Sequence, residues 1–120
     1  MEKLTNKEEQ AMRVLWDCKR GFVKDLLDKF PEPKPHYNTL SSLIRLLEEK
    51  GYVSHKAYGN THEYFPVITK EDYQREYMSE IVDSYFGKSY KNAVTFFARE
   101  QNISIDELKE IINMIEKGKE

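Results

Sequence analysis

The hydrophobic positions in the first third of the chain recur at the three- and four-residue intervals of amphipathic helices. Thr5 begins the first predicted helix, and Glu8, three residues later, completes the spacing of a capping box. We expect Gly21 to end this helix. A second, shorter helix should stop at three closely spaced prolines. The apolar positions are Ala11, Met12, Leu15 and Trp16 in the first helix and Val23, Leu26, Leu27 and Phe30 in the second, and the prolines are Pro31, Pro33 and Pro35.

The segment from Tyr37 to Lys50 has the clearest helical pattern. Leu40, Leu43, Ile44 and Leu47 lie at i, i+3, i+4 and i+7, which predicts a helix packed on a core. Gly51 should end it. The opposite side begins with small uncharged polar residues, and a helix with such a side can enter a groove of DNA. That side holds Asn38, Ser41, Ser42, Arg45 and Glu49.

The hydrophobic period changes after Tyr52. Aromatic and β-branched residues stand on both sides of Gly59–Asn60, which predicts a β-hairpin. Three helices followed by a hairpin are typical of a winged helix-turn-helix. We therefore predict a mostly α-helical fold with a small β-hairpin wing, in which residues 1–70 are a DNA-binding domain.

The hydrophobic pattern of residues 71–120 predicts three more helices, which are rich in tyrosine, phenylalanine and isoleucine. Ser104 and Glu107 have the spacing of a second capping box. A unit of roughly 50 residues buries too little surface to be comfortably stable alone, so we expect a two-fold homodimer. Such a dimer would hold two recognition helices at a fixed spacing. The residues predicted to pair are Tyr73, Tyr77, Ile81, Tyr85, Val94, Phe97, Leu108, Ile111, Ile112 and Ile115.

Composition and charge support a folded, water-exposed chain. Hydrophobic residues make up 39% and charged residues 33%. There is no apolar run of membrane-spanning length and no secretion signal, so we expect a cytoplasmic protein with no membrane partner. The net charge of −2 divides into +2 over residues 1–70 and −4 over residues 71–120. This division favours phosphate contact by the first part.

The chemistry-bearing residues do not indicate an enzyme. His36, His55 and His62 lack zinc-ligand spacing with each other or with Cys18, so no metal or cofactor is expected. Cys18, the single cysteine, is expected to be a plain packed thiol, with redox or metal sensing the less favoured alternative. No phosphate-binding loop, nucleophilic serine elbow or matched Cys/His pair occurs.

The candidate DNA contacts cluster at the start of the third helix and in the hairpin. Arg45 could reach a guanine edge or a phosphate, or instead pair with Glu48 or Glu49 along the helix. His36 could contact a phosphate or be a solvated turn residue. The full candidate set is His36, Tyr37, Asn38, Thr39, Ser41, Ser42 and Arg45, with Lys56, Asn60 and His62 from the hairpin.

Taken in order, four segments resemble the BlaI/MecI/CopY family of bacterial repressors over nearly the whole chain. The segments are Leu4-Thr5-x-x-Glu8 followed by Met12 and Leu15-Trp16, then Tyr37-Asn38-Thr39-Leu40-x-x-Leu43, then Leu47-x-x-Lys50-Gly51-Tyr52-Val53, and finally Glu63-Tyr64-Phe65-Pro66-Val67. The resemblance implies a homodimer with an N-terminal winged helix and a C-terminal helical dimerisation domain. It also implies a dyad operator whose occupation blocks transcription.

The same resemblance implies base contacts from Thr39 and Ser41, with Asn38 and Ser42 beside them. Family members often carry a basic residue at the position of Ser41 and commonly arginine at that of Leu46. Because this chain departs from both, we expect a different operator sequence.

The resemblance suggests two routes to release from DNA. Penicillinase-type relatives are cut at an Asn-Phe bond in the C-terminal domain, which makes a sensor-linked protease a candidate partner. The aligned pair here is Phe96–Phe97, which lacks the asparagine. Copper-responsive relatives carry C-terminal Cys-x-Cys clusters, and this chain has no cysteine after Cys18, so copper sensing is disfavoured.

Three function classes follow, in order of preference. The first is a dimeric repressor that reads a dyad operator through the helix at 38–50 and the wing. The second is a winged-helix protein-interaction module without sequence-specific DNA binding, since fold alone does not fix function. The third is a small enzyme or metal sensor.

Overall fold

The computed structural model describes residues 2–118. These residues form six helices and three strands, in the order α1 (Asn6–Cys18), β1 (Gly21–Phe22), α2 (Val23–Asp28), α3 (Tyr37–Glu49), β2 (Val53–Tyr58), β3 (Thr61–Pro66), α4 (Lys70–Tyr85), α5 (Tyr90–Glu100) and α6 (Ile105–Gly118). The predicted fold class, mostly helical with a small β wing, is confirmed. The chain divides into an N-terminal unit, Met1–Glu76, and a C-terminal unit, Tyr77–Glu120, with the boundary inside α4.

The predicted capping box begins α1. The Thr5 hydroxyl accepts a hydrogen bond from the Glu8 backbone N–H, and the Glu8 carboxylate accepts one from the Thr5 N–H at 2.8 Å. The end of the helix differs from the prediction. α1 stops at Cys18, where Lys19 takes a positive φ of 70°, so Gly21 is not its terminator.

Gly21 belongs instead to β1, a strand that the sequence analysis did not predict. It pairs with Tyr64, and Phe22 pairs with Glu63, which gives a three-stranded antiparallel sheet of order β1-β3-β2. A Cβ atom at Gly21 would lie 3.0 Å from Cδ2 of Leu26, so glycine allows the backbone to pass close to α2. Two residues are too few to produce a readable alternation of polar and apolar positions.

The predicted hairpin is confirmed. β2 and β3 pair from Val53 opposite Pro66 to Tyr58 opposite Thr61, joined by the two-residue turn Gly59–Asn60. Gly59 has a φ of +61°, which glycine adopts without the steric cost that other residues meet. We call the hairpin of β2 and β3 the wing.

One hydrophobic core joins α1, α2, α3 and the sheet of the N-terminal unit. The Trp16 indole N–H reaches across this unit to the Ile68 carbonyl at 2.9 Å. The Tyr52 hydroxyl donates to the Glu2 carbonyl. The core residues of α1–α3 are Ala11, Met12, Val14, Leu15, Val23, Leu26, Leu40, Ile44 and Leu47.

Tyr73, one of the predicted dimer contacts, is buried in the core of the N-terminal unit. Thr69 caps α4 by accepting from the Asp72 N–H, and Tyr73 in the first turn is only 8% exposed. Its ring lies 5.6 Å from that of Trp16, and its hydroxyl donates to Glu9 at 3.0 Å. The N-terminal core already covers this ring, so little of Tyr73 is exposed for the predicted dimer contact, which stays a prediction.

The C-terminal unit has a small interior and a large apolar surface. Val82 and Ala93 are buried, and the rings of Phe86, Phe96 and Phe97 pack together with centroids 5.5–6.0 Å apart. Of the other predicted dimer residues, Tyr77, Ile81 and Leu108 are partly buried in the single chain. Those that are exposed are Tyr85, Val94, Phe97, Ile111, Ile112 and Ile115.

Serine hydroxyls begin the last two helices. Ser89 accepts from the Asn92 N–H at α5, and Ser104 accepts from the Glu107 N–H at α6. Glu107 approaches the Ser104 hydroxyl at 3.4 Å, where a reciprocal capping box would have it accept from the backbone. None of the described helices is long and apolar enough to cross a membrane.

A buried ion pair connects α1 to the end of α3. The Glu8 side chain is 1% exposed, and the Lys50 ammonium lies 2.7 Å and 3.0 Å from its two oxygens. Burial raises the pKa of Glu8, but the hydrogen bonds from Lys50 and Thr5 and the charge of Lys50 outweigh it. The pKa of Glu8 therefore lies below its ordinary value, and the carboxylate stabilises the fold at neutral pH.

We expect Glu8→Gln to lower the free energy of unfolding by about 2 kcal/mol at pH 7, because the Lys50 ammonium loses its buried counter-charge. Glutamine can still accept from the Thr5 N–H, so the cap is kept. Since the folded pKa of Glu8 is depressed, the wild-type advantage should be complete near neutral pH and shrink as the pH falls below about 4. Urea denaturation over a pH series measures both effects.

The control for this experiment is Arg75→Ala. Arg75 pairs with Asp72 on the surface, where the side chains are 76% and 50% exposed, and its loss should cost less than about 0.5 kcal/mol. Equal stability of wild type and Glu8→Gln at pH 7 would contradict the assigned role of the ion pair.

Candidate nucleic-acid interface

The helix α3 begins with free backbone N–H groups. The chain reaches it through the proline-rich turn, and His36 occupies the N-cap position without a side-chain hydrogen bond to the helix. The first N–H groups of a helix have no carbonyl partner within it and carry a partial positive charge. The start of α3 can therefore accept an anionic group such as a DNA phosphate.

The two sides of α3 have different environments. Leu40, Ile44 and Leu47 are at most 1% exposed and hold the helix on the core, and Leu43 packs at the edge. The other side faces solvent in the single chain. The polar residues there are Asn38, Thr39, Ser42 and Arg45, which are exposed, and Ser41, which is partly buried.

An open groove of about 630 Å³ separates α3 from the tip of the wing. Tyr37, Ser41 and Arg45, spaced four residues apart on α3, line one wall, and Asn60 and His62 line the wing side. The structure thus brings together five of the ten predicted DNA contacts. The other five are exposed outside the groove: His36, Asn38, Thr39, Ser42 and Lys56.

The groove also contains residues that the sequence analysis missed. Lys24 and Asp25 of α2 line its third side, and Phe22, Val23, Thr61 and Tyr64 complete it. Lys24 and Asp25 lie close to the wing because β1, which pairs with β3, ends immediately before α2 starts. The only feature of the sequence that points to these residues is the polar pair Lys24–Asp25 after Val23. A polar pair by itself does not indicate that the wing lies next to it.

Arg45 does not form the intrahelical ion pair considered as an alternative. Its guanidinium lies 3.5 Å from the Ser42 hydroxyl, and within residues 2–118 no carboxylate comes within salt-bridge distance of it. Glu48, one of the two proposed partners, bonds to the wing instead. The guanidinium is therefore available to an external acceptor.

The wing is attached to α3 through His55. Its Nδ1 lies 2.5 Å from Oε2 of Glu48, and both side chains are about 30% exposed. His62 stacks on His55 with ring centroids 4.0 Å apart. The same His62 side chain lines the groove. Burial raises the pKa of the neighbouring Tyr64, and the charge of Glu48 raises it further, so this phenol stays protonated.

The remaining sequence predictions concern metal binding and proteolytic cleavage. Within residues 2–118, no three His, Cys, Asp or Glu side chains form a group that could hold a metal ion, and Cys18 packs half-buried against the core. Phe96 and Phe97 lie in the middle of α5, about half exposed. Cleavage between them stays a prediction, and α5 would have to unwind locally to present the bond in extended form.

A core-packed third helix with an exposed polar start, followed by a wing, defines the winged helix-turn-helix class of DNA-binding regulators. The model of the penicillinase repressor family matches residues 4–117. The chain therefore belongs to the penicillinase repressor family and is a transcriptional repressor of that family. The predicted family is confirmed.

Two curated relatives agree with this assignment. The "Methicillin resistance regulatory protein MecI" of Staphylococcus epidermidis is 19% identical over 115 residues, which cover 95% of this chain and 94% of the relative. The protein of the same name from Mammaliicoccus sciuri is 18% identical over the same shares of both chains. The individual contact residues stay predictions.

The attachment of the wing can be tested by Glu48→Ala. We expect loss of the His55 partner to lower the free energy of unfolding by about 1 kcal/mol and to speed amide exchange in β2 and β3. Hydrogen–deuterium exchange with mass spectrometry measures the second effect. Glu49→Ala, the adjacent exposed carboxylate on α3, is the control and should leave exchange in the wing unchanged. Equal exchange in both variants would show that this contact does not hold the wing.

Proposed function

We propose that this repressor acts as a homodimer that places two α3 helices in successive major grooves of a dyad operator and so blocks transcription. The observation that carries the proposal is the form of α3, which is buried along one side and exposes short polar side chains at its free N-terminal turn. Thr39 and Ser41 are the proposed base-contacting residues, with Asn38 and Ser42 beside them. Short hydroxyl and amide side chains at this position can reach base edges.

The C-terminal unit supports the dimer in this proposal. Within the described part of the chain, α6 has no buried residue, although it carries five large apolar side chains at 44–72% exposure. These are Ile105, Ile111, Ile112, Met114 and Ile115. Beside α6, an apolar groove of about 550 Å³ is lined by Val94, Ala98, Ile103 and Leu108. An apolar surface of this kind on a small unit marks an interface, and a second copy covers it with matching chemistry.

Pairing also supplies affinity that one recognition helix lacks. The candidate DNA contacts on α3 include one cation, Arg45, and residues 1–70 carry a net charge of only +2. Joining two half-site contacts turns the second binding event into an intramolecular one. No observation favours the protein-interaction module over the repressor, since the family that matches the chain is one of repressors.

The experiment that tests operator binding is a fluorescence anisotropy titration. The probes are a duplex from the region upstream of the chain's own gene and a random duplex of the same length. We expect at least about 1,000-fold tighter binding to the upstream duplex at physiological salt. Its affinity should fall linearly on a log–log plot against salt, because phosphate contacts release counterions. Equal affinity for the two duplexes would contradict sequence-specific repression from this region.

The dimer is tested separately by Ile112→Glu, which adds a charge to the apolar side of α6. We expect a monomer in light scattering after size-exclusion chromatography and at least about 100-fold weaker operator binding, because the bivalent advantage is lost. Asn113→Glu adds the same charge one residue later, on the polar side of α6, and should remain dimeric. A dimeric Ile112→Glu protein with wild-type affinity would exclude this face as the interface.

A further inference from the structure

The groove between α2, α3 and the wing brings two cations together. Lys24 comes from the first turn of α2 and Arg45 from the middle of α3, so they lie 21 residues apart in sequence. Within residues 2–118, no carboxylate lies within 4.0 Å of either charged group. Three other cations of this unit, Arg13, Lys50 and Arg75, each form an ion pair with a carboxylate. Both charges in the groove are available to an external anion.

The rest of the groove lining suits a phosphodiester backbone better than a compact anion. Hydrogen-bond donors stand on both sides of it, Tyr37 on α3 and Asn60 at the wing tip. The groove is open rather than enclosed, so an extended polymer can pass through it. Polar side chains and cations of these types supply most protein contacts to DNA phosphates.

We propose that Lys24 and Arg45 clamp the DNA backbone in this groove, where the strand leaves α3 and passes the wing. Lys24 is thereby assigned as a DNA-contacting residue on α2, and Arg45 acts on phosphate rather than on a guanine edge. Asp25, the acidic side chain in the groove lining, opposes the clamp and limits its strength. The inference rests on the proposed DNA binding but concerns contacts that do not depend on base sequence.

A salt series with Lys24→Ala tests the clamp on the same upstream and random duplexes. We expect weaker binding to both duplexes by the same factor. The slope of log affinity against log salt should decrease by about one for each bound subunit, because one phosphate contact is lost. Lys24→Arg should keep the wild-type slope. Circular dichroism melting confirms that the variants fold.

The matched control is Lys29→Ala, which removes the same charge from the other end of α2, outside the groove. It should leave the slope within error of wild type. An effect of Lys24→Ala no larger than that of Lys29→Ala would overturn the assignment of Lys24.

Asp25→Asn should tighten binding to both duplexes, because it removes a negative charge from the groove. Unchanged binding by this variant would show that Asp25 does not oppose the clamp.

Arg45→Ala separates phosphate contact from base reading. The clamp predicts equal fold-losses on the upstream and random duplexes, whereas a loss confined to the upstream duplex would assign Arg45 to a base and overturn the clamp. The random duplex keeps this test independent of the proposed operator. If wild type prefers neither duplex, the proposed operator binding fails, while the slope of Lys24→Ala still decides the clamp.

Discussion

The ion pair between Glu8 and Lys50 is the constraint on which the geometry of the candidate DNA-binding surface depends. Glu8 is the third residue of α1, where it completes the helix cap, and it is also the buried acceptor for the cation of Lys50, the C-cap residue of α3. Removing two charges from water is unfavourable unless both find good partners, so the pair tolerates little displacement of α3 along α1. Two segments that carry the family resemblance, at 4–8 and 47–53, meet at this contact.

From Lys50 the constraint continues into the wing. Gly51 turns the chain with a positive φ, Tyr52 inserts into the core, and β2 starts at the next residue. The connection is so short that the position of α3 fixes where the hairpin starts. His55 then bonds back to Glu48 on the same helix. α3 and the wing are therefore joined twice, by the short connection at 50–53 and by the contact between His55 and Glu48.

Local patterns in the sequence predicted the elements but not all of their neighbours. The leucine stripe of α3, the Thr5 capping box and the Gly59–Asn60 turn depend on residues within one helix or one hairpin, so periodicity and turn chemistry were sufficient. β1 and the groove depend on pairing between Phe22 and Glu63, which are about 40 residues apart and leave no periodic trace. Tyr73 fits the hydrophobic spacing of α4, but its ring packs against Trp16 in the N-terminal core. The contact residues themselves are still predictions, because pattern and fold do not measure binding.

The two-residue strand β1 has an energetic consequence for binding that its length does not suggest. It pairs with β3 on the side opposite β2, so Glu63 and Tyr64 of the central strand are paired on both sides before any ligand arrives. A hairpin supported on one side alone is marginally ordered in water and would lose entropy when a ligand fixed it. In this chain folding has already supplied that order beside β1, and the end of the hairpin from Ala57 to His62 extends past the support. The middle of the wing is therefore preorganised, which preserves affinity for a protein with few cations to contribute.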